Sequence, residues 1–218
     1  MDRRIKIAIM LLFIGAMVLS IAAHVFAFFP GDLEISQALR EINNPGFSLV
    51  MQGVSALGET FTGLLIIGAA TAFFLIRRRL PEAVFIFITG SNFVVTAIIK
   101  VLVARPRPPY YLPNPFDTFP LIDQYSYPSG HVLFFVVFFG FIAYLAWFYQ
   151  TGRARMIIPS LCGALILLIG PSRVYLGAHW PSDALGSYII GTLWLILIII
   201  GYRMALRRMK TGVERNPV

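Results

Sequence analysis

With a single cysteine, Cys162, the 218-residue chain cannot be stapled by intrachain disulfides. Charged side chains are just as scarce: they make up 13% of the sequence, and only 10 of them are acidic. So few polar groups exclude a soluble domain of this size, because surface-to-volume scaling would leave more apolar side chain facing water than the polar residues could cover. Disorder is excluded from the other direction, since 58% of residues are hydrophobic, 19 are Phe, and mean hydropathy is +0.78. A net charge of +8 does not indicate nucleic acid, because the basic residues form short clusters between apolar runs instead of lining one polar face. The expected solvent is lipid.

A bilayer core of about 30 Å takes about 20 apolar residues in a helix, and unsatisfied backbone groups forbid most other spanning structures. Six runs of that kind cover residues 5–29, 47–76, 81–104, 129–149, 156–171 with a few residues beyond, and 181–202. The first follows Arg3, Arg4 and Lys6 as a signal peptide would, but it is too long for a typical signal core and has no small-x-small cleavage site, so it is expected to remain as an anchor. The second is longer than a span needs, and its end near Gln52 to Glu59 is expected to lie at the surface or to tilt. With six spans, Arg40, Lys100, Arg105, Arg107 and Arg173 fall on one side and every other Lys and Arg on the opposite side. The bias of basic residues toward the cytoplasm then predicts both termini inside. Residues 31–44 read as a short amphipathic piece on the outer surface and 203–218 as a basic tail. No repeat or separate soluble domain is legible, so residues 1–218 are expected to form one all-α transmembrane domain.

Ionisable groups at membrane depth are costly unless paired or hydrated, so their positions carry most of the information. Three groups lie at outer helix ends: Lys100 with Arg107-Pro108, Pro128-Ser129-Gly130-His131, and Ser172-Arg173 with His179 and Asp183. Lys100, Arg107 and Arg173 supply three cations, two of them guanidinium forks suited to phosphate oxygens. The turn Ser129-Gly130-His131 opens a helix whose first amides favour an anion, and Gly130 lets the backbone approach closely. Pro181 suits a first helical turn, which puts His179 just before that helix and Asp183 within it. A carboxylate four residues on can take a hydrogen bond from one nitrogen of His179 and leave the other nucleophilic, while His131 protonates a departing oxygen. Each residue alone also has a structural reading, as an interfacial anchor, an interhelical hydrogen bonder or a helix cap.

The segments Lys100-x6-Arg107-Pro108, Pro128-Ser129-Gly130-His131 and Ser172-Arg173-x5-His179-x3-Asp183 resemble the three-part signature of the type 2 phosphatidic acid phosphatase (PAP2) superfamily. That superfamily contains lipid phosphatases and vanadium haloperoxidases. The matching positions run from Lys100 to Asp183, and the region before Lys100 agrees in hydropathy only. The resemblance implies a six-helix membrane bundle with an outward-facing site. It also implies a cycle in which His179 attacks phosphorus to form a phosphohistidine, His131 protonates the lipid leaving group, and water releases phosphate. Asp183 would hold the tautomer of His179, and Lys100, Arg107, Ser129, Gly130 and Arg173 would stabilise the developing charge. No cofactor is implied, and no metal; the one cysteine lies in an apolar run and His24 is remote in the first run.

The expected function is therefore hydrolysis of a terminal phosphate from a membrane lipid, with undecaprenyl diphosphate as the leading substrate. Phosphatidylglycerophosphate, phosphatidic acid and lipid A phosphate are the alternatives. The expected partners are the lipid substrate and the bilayer, not nucleic acid. A haloperoxidase is disfavoured because its relatives are soluble. A carrier that grips phosphate without breaking a bond remains open. His24 is expected to be structural or interfacial, and Glu59 either pairs with a site cation or reaches water. The Pro- and aromatic-rich segment 105–127 reads as a loop that seals the bundle, as a lid over the headgroup, or as both.

Overall fold

The structure, a computed structural model, describes residues 3–111 and 120–215. The residues 112–119 of the Pro-rich segment, and with them Pro113, Pro115, Phe116 and Phe119, lie outside the described residues. The described chain is helical, with no strand beyond an isolated bridge between Pro106 and Tyr125.

Helix α1 (Arg3–Val25) is followed by the short α2 (Asp32–Arg40), α3 (Pro45–Ala56) and α4 (Thr60–Ile76). Next come α5 (Leu80–Thr89) and α6 (Ser91–Val103), then one turn, α7 (Pro120–Asp123). A central span runs through α8 (Gly130–Phe134), a π-helical turn at Phe135–Phe139 and α9 (Gly140–Tyr149). The chain ends in α10 (Ala154–Tyr175) and α11 (Pro181–Arg215). Among the described residues five helices are long and apolar enough to cross a membrane, and six if α3 and α4, bent by 62°, form one broken span. The expected six spans are thus present, but the second is not a single helix. The first run also ends sooner than expected, at Val25, and the last helix continues through the basic tail to Arg215.

Local chemistry sets several of these ends. Asn44 caps α3 by accepting a hydrogen bond from the Phe47 amide at 3.0 Å, and Pro45 and Pro181 occupy first turns, where a missing N–H costs nothing. Pro171 interrupts the hydrogen-bond ladder of α10. The Tyr188 hydroxyl bridges this defect by accepting from the Gly170 amide at 3.1 Å and donating to the Ile166 carbonyl at 2.7 Å.

The central span is the most buried, with Leu133, Phe134, Phe135, Val137 and Phe141 fully enclosed. Lipid tails are as apolar as these side chains, so helix association here depends on close fit, aided by small residues. Gly186 of α11 shows the fit: a Cβ there would meet the Tyr127 ring at 2.5 Å. Helix α1 is mostly lipid-facing and packs against α11, and its His24 donates from Nδ1 to the Val103 carbonyl at 2.9 Å. That bond fastens α1 to the end of α6, and His24 does not line the cavity described next.

Candidate active site

A cavity of about 680 Å³ opens at the end of the bundle where α3 meets α4 and α6 ends. Lys100, Arg107, Gly130, His131, Arg173 and His179 all line it, so residues from three separated sequence segments converge. Ser129 and Asp183 are buried directly behind this wall and are not among the residues lining it.

Each contributor is delivered by a helix end. Lys100 sits in the last turn of α6, nearly buried, with Nζ 3.0 Å from Asp123 Oδ1. Ala104 takes a left-handed conformation with φ 51° and ends the helix, and Arg107 lies just beyond it. The Arg107 guanidinium donates to the carbonyls of Asp123 at 2.6 Å and Ala178 at 2.7 Å, and stacks 4.0 Å from the Tyr111 ring centroid. Arg173, in the last turn of α10, donates to Ser55 Oγ at 2.5 Å, and its neighbour Ser172 donates to the Met51 carbonyl at 2.6 Å. These bonds hold α10 against α3.

His131 enters at the start of α8 with Nε2 3.5 Å from Glu59 Oε1, and Glu59 sits at the α3–α4 break. Glu59 thus reaches solvent, with its side chain 40% exposed, and faces a histidine of the site as well. The break makes room for this pair, because a Cβ on Gly58 would lie 2.6 Å from His131 Cδ2. A larger residue at position 58 would collide with the imidazole.

His179 lies in the short connection between α10 and α11, where Gly177, at φ 73°, supplies a left-handed turn that favours glycine. Its ring is buried. Burial, reinforced by the positive charges of Arg107, Arg173 and Lys100, holds its imidazole well below the usual histidine range. His179 is neutral at pH 7 as a result.

Two expectations from the sequence differ in detail. The His179–Asp183 hydrogen bond is not made: Nδ1 and Oδ2 are 3.7 Å apart, and Asp183 Oδ2 instead accepts from the Trp180 amide at 2.9 Å. The helix rise places position 183 beneath the ring, but the carboxylate is turned toward the buried Arg105, which engages its other oxygen. Nor are the first amides of α8 all free for an anion. The Ser129 amide donates to Ser187 Oγ at 2.7 Å, and Ser187 in turn donates to the Asp183 carbonyl. The Ser129 hydroxyl, His131 Nε2 and His179 Nδ1 are buried without a hydrogen-bond partner among the described residues. Three cations around one cavity that His131 and His179 also line suit an anionic ligand with several acceptor oxygens.

Sequence reasoning also passed over Arg105, Asp32 and Asp123. Arg105 counted only as an outer basic residue, and Asp32 belonged to the presumed surface piece. A signal was available: an arginine between an apolar helix and two prolines has nowhere to snorkel, so it needs a carboxylate, and most of the acidic residues lie on that side.

Known proteins give the same picture. Residues 81–207 match the PAP2 superfamily. Phosphatidylglycerophosphatase B of Bacillus subtilis is 28% identical over 204 residues, which is 91% of this chain and 96% of that protein. An undecaprenyl-diphosphatase of Sulfolobus acidocaldarius is 32% identical over 118 residues, half of each chain. The crystal structure of a transmembrane PAP2 type phosphatidylglycerolphosphate phosphatase from Bacillus subtilis superposes with a TM-score of 0.76 at 26% identity, covering 90% of this chain and 96% of that one. With the match spanning more than half of its sequence and the likeness of fold nearly all of its length, the chain belongs to the PAP2 superfamily and is a multi-pass membrane lipid phosphatase.

Proposed function

We propose that this phosphatase, a single transmembrane domain over residues 1–218, cleaves the terminal phosphate of undecaprenyl diphosphate at the outer face of the cell membrane through a phosphohistidine on His179. The observation that supports the reading best is the convergence of His131, His179, Lys100, Arg107 and Arg173 on one cavity whose wall also includes Val94 and Ile98. Those two side chains are 61% and 55% exposed on the outside of α6. A headgroup seated in the cavity can thus keep its chain in the bilayer, and three cations suit a diphosphate.

Charge supports this choice of face. The cavity end carries Lys100, Arg105, Arg107 and Arg173, while Arg77, Arg78, Arg79, Arg153, Arg155 and the basic end of α11 lie at the other end, which the positive-inside bias puts in the cytoplasm with both termini.

In the proposed cycle His179 Nε2 attacks phosphorus, because Nδ1 faces Asp183. The bond to the bridging oxygen breaks, its electron pair leaves with the lipid, and protonated His131 supplies the proton. His131 then takes a proton from water, which attacks the phosphohistidine and frees inorganic phosphate and the imidazole. The three cations oppose the charge that develops on the phosphoryl oxygens. A second reading, phosphatidylglycerophosphate as substrate, is favoured by the relative that aligns over nearly the whole chain.

Phosphate release from purified protein in liposomes, over a panel of undecaprenyl diphosphate, phosphatidylglycerophosphate and phosphatidic acid with EDTA present, tests both. The expected result is fastest release from the diphosphate, unaffected by EDTA. Faster release from phosphatidylglycerophosphate installs the second reading, and dependence on a divalent cation sinks the mechanism.

The buried nucleophile also fixes a pH dependence. A free histidine titrates near pH 6.5, and that of His179 is lowered, so its neutral form persists below about pH 6.5. The acid limb of kcat/KM assigned to His179 is expected below that value, as read from a pH–rate profile; a limb at or above 6.5 would contradict the burial argument. Stability has the same sign. The unfolded chain takes up this proton first, so the contribution of the buried neutral ring is lost as pH falls below about 6.5.

A further inference from the structure

Arg105 is fully buried, and its guanidinium makes four hydrogen bonds. Nη1 donates to Asp183 Oδ1 and to Ser182 Oγ at 2.8 Å, Nη2 to Asp32 Oδ2 at 2.9 Å, and Nε to the Ala27 carbonyl at 3.2 Å. The Phe29 ring covers it, with its centroid 4.7 Å from Cζ. Asp32 takes part in four as well. It accepts from the Ser182 amide at 2.9 Å, the Ser182 hydroxyl at 2.6 Å and the Phe29 amide at 2.8 Å, in addition to Arg105. Two carboxylates therefore share one guanidinium at the first turn of α11, and the trio carries one net negative charge. Asp32 comes from α2, outside the 81–207 segment that matches the superfamily.

We propose that Arg105 and Asp32 are positioning residues for phosphoryl transfer: the Asp32–Arg105 clamp fixes the Asp183 carboxylate with Oδ2 3.7 Å from His179 Nδ1, and so fixes the attacking ring. The inference rests on His179 being the nucleophile. Its physical content is charge and geometry together. When Nε2 bonds to phosphorus, the imidazole acquires positive charge at Nδ1–H, and the excess negative charge of the trio lies directly behind it. Asp183 cannot swing away to solvent, because Arg105 and the Trp180 amide hold its two oxygens. The clamp acts on the step in which the phosphohistidine forms, not on lipid binding, since neither Arg105 nor Asp32 lines the cavity.

The experiment is single-turnover kinetics on the full-length protein with undecaprenyl diphosphate labelled in its terminal phosphate, with the phosphoenzyme trapped by alkaline quench. Asp32→Asn is the informative variant, because it removes the excess charge while the Arg105–Asp183 pair remains neutral overall. It is expected to lower the first-order rate constant of phosphoenzyme formation about tenfold or more, with KM within about twofold of the parent. Arg105→Lys is expected to retain more of this rate than Arg105→Ala. A purely structural clamp gives a different result: fewer active molecules reduce the amplitude of the labelled burst but leave its rate constant at the parent value, and that outcome overturns the proposal. If the parent enzyme is not labelled on His179, the reading of the nucleophile fails; if it is labelled and Asp32→Asn labels equally fast, only the clamp fails.

Discussion

His179→Ala should lose phosphate release by at least about 10³-fold while still binding the lipid phosphate. The size follows from the route of the reaction. Without Nε2 the covalent phosphoenzyme of the proposed cycle cannot form. Binding should survive because in the proposed site the anion is gripped by Lys100, Arg107 and Arg173, which reach the cavity from α6, the segment after it, and α10, and have their own anchors in Asp123, Ala178 and Ser55. The two measurements are steady-state phosphate release and equilibrium binding of the same lipid to the variant, both in liposomes. Turnover near the parent rate would remove His179 from the nucleophile's role. Loss of turnover together with loss of binding would mean that the imidazole shapes the cradle instead of attacking. A carrier would tolerate the substitution in its transport cycle, so the same variant separates the two classes.

The membrane architecture was legible because lipid imposes a simple rule: a run of about 20 apolar residues must be helical. The rule says nothing about where such a run breaks. Residues 47–76 read as one overlong span, and the 62° bend at their middle lies where Gly58 packs against His131, a residue far along the chain. The convergence of Lys100, Arg107, His131, Arg173 and His179 was legible because expensive polar groups at helix ends on one side leave few alternatives. Their partners were not. The amphipathic pattern around Asp32 and the apolar run that holds Glu59 say nothing of their partners, which are set by which helix ends meet. Local spacing also misled once. Four residues along a helix put Asp183 within reach of His179, but the competing guanidinium of Arg105, held in place by Asp32, decided where the carboxylate points.

The other large effect is expected at His131, and its size should depend on the leaving group. General-acid catalysis is typically worth about 10² to 10⁴ in rate, and it matters most where the departing oxygen would otherwise leave as a strongly basic alkoxide. For phosphatidic acid or phosphatidylglycerophosphate, His131→Ala should therefore cost about 10² to 10⁴ in kcat. With undecaprenyl diphosphate the leaving group is itself a phosphate, much less basic than an alkoxide, and the loss should be smaller. For p-nitrophenyl phosphate, whose phenolate departs without a proton, it should shrink to about tenfold or less. Glu59→Gln should reproduce the same order of losses in weaker form, since the Glu59 carboxylate lies 3.5 Å from His131 Nε2 and its charge favours the protonated ring. Rates of phosphate release on the three substrate types, compared between parent and variants, check this. Equal losses on all of them would show that His131 holds the phosphoryl group and not the departing oxygen, and would leave the acid to be found elsewhere in the cavity.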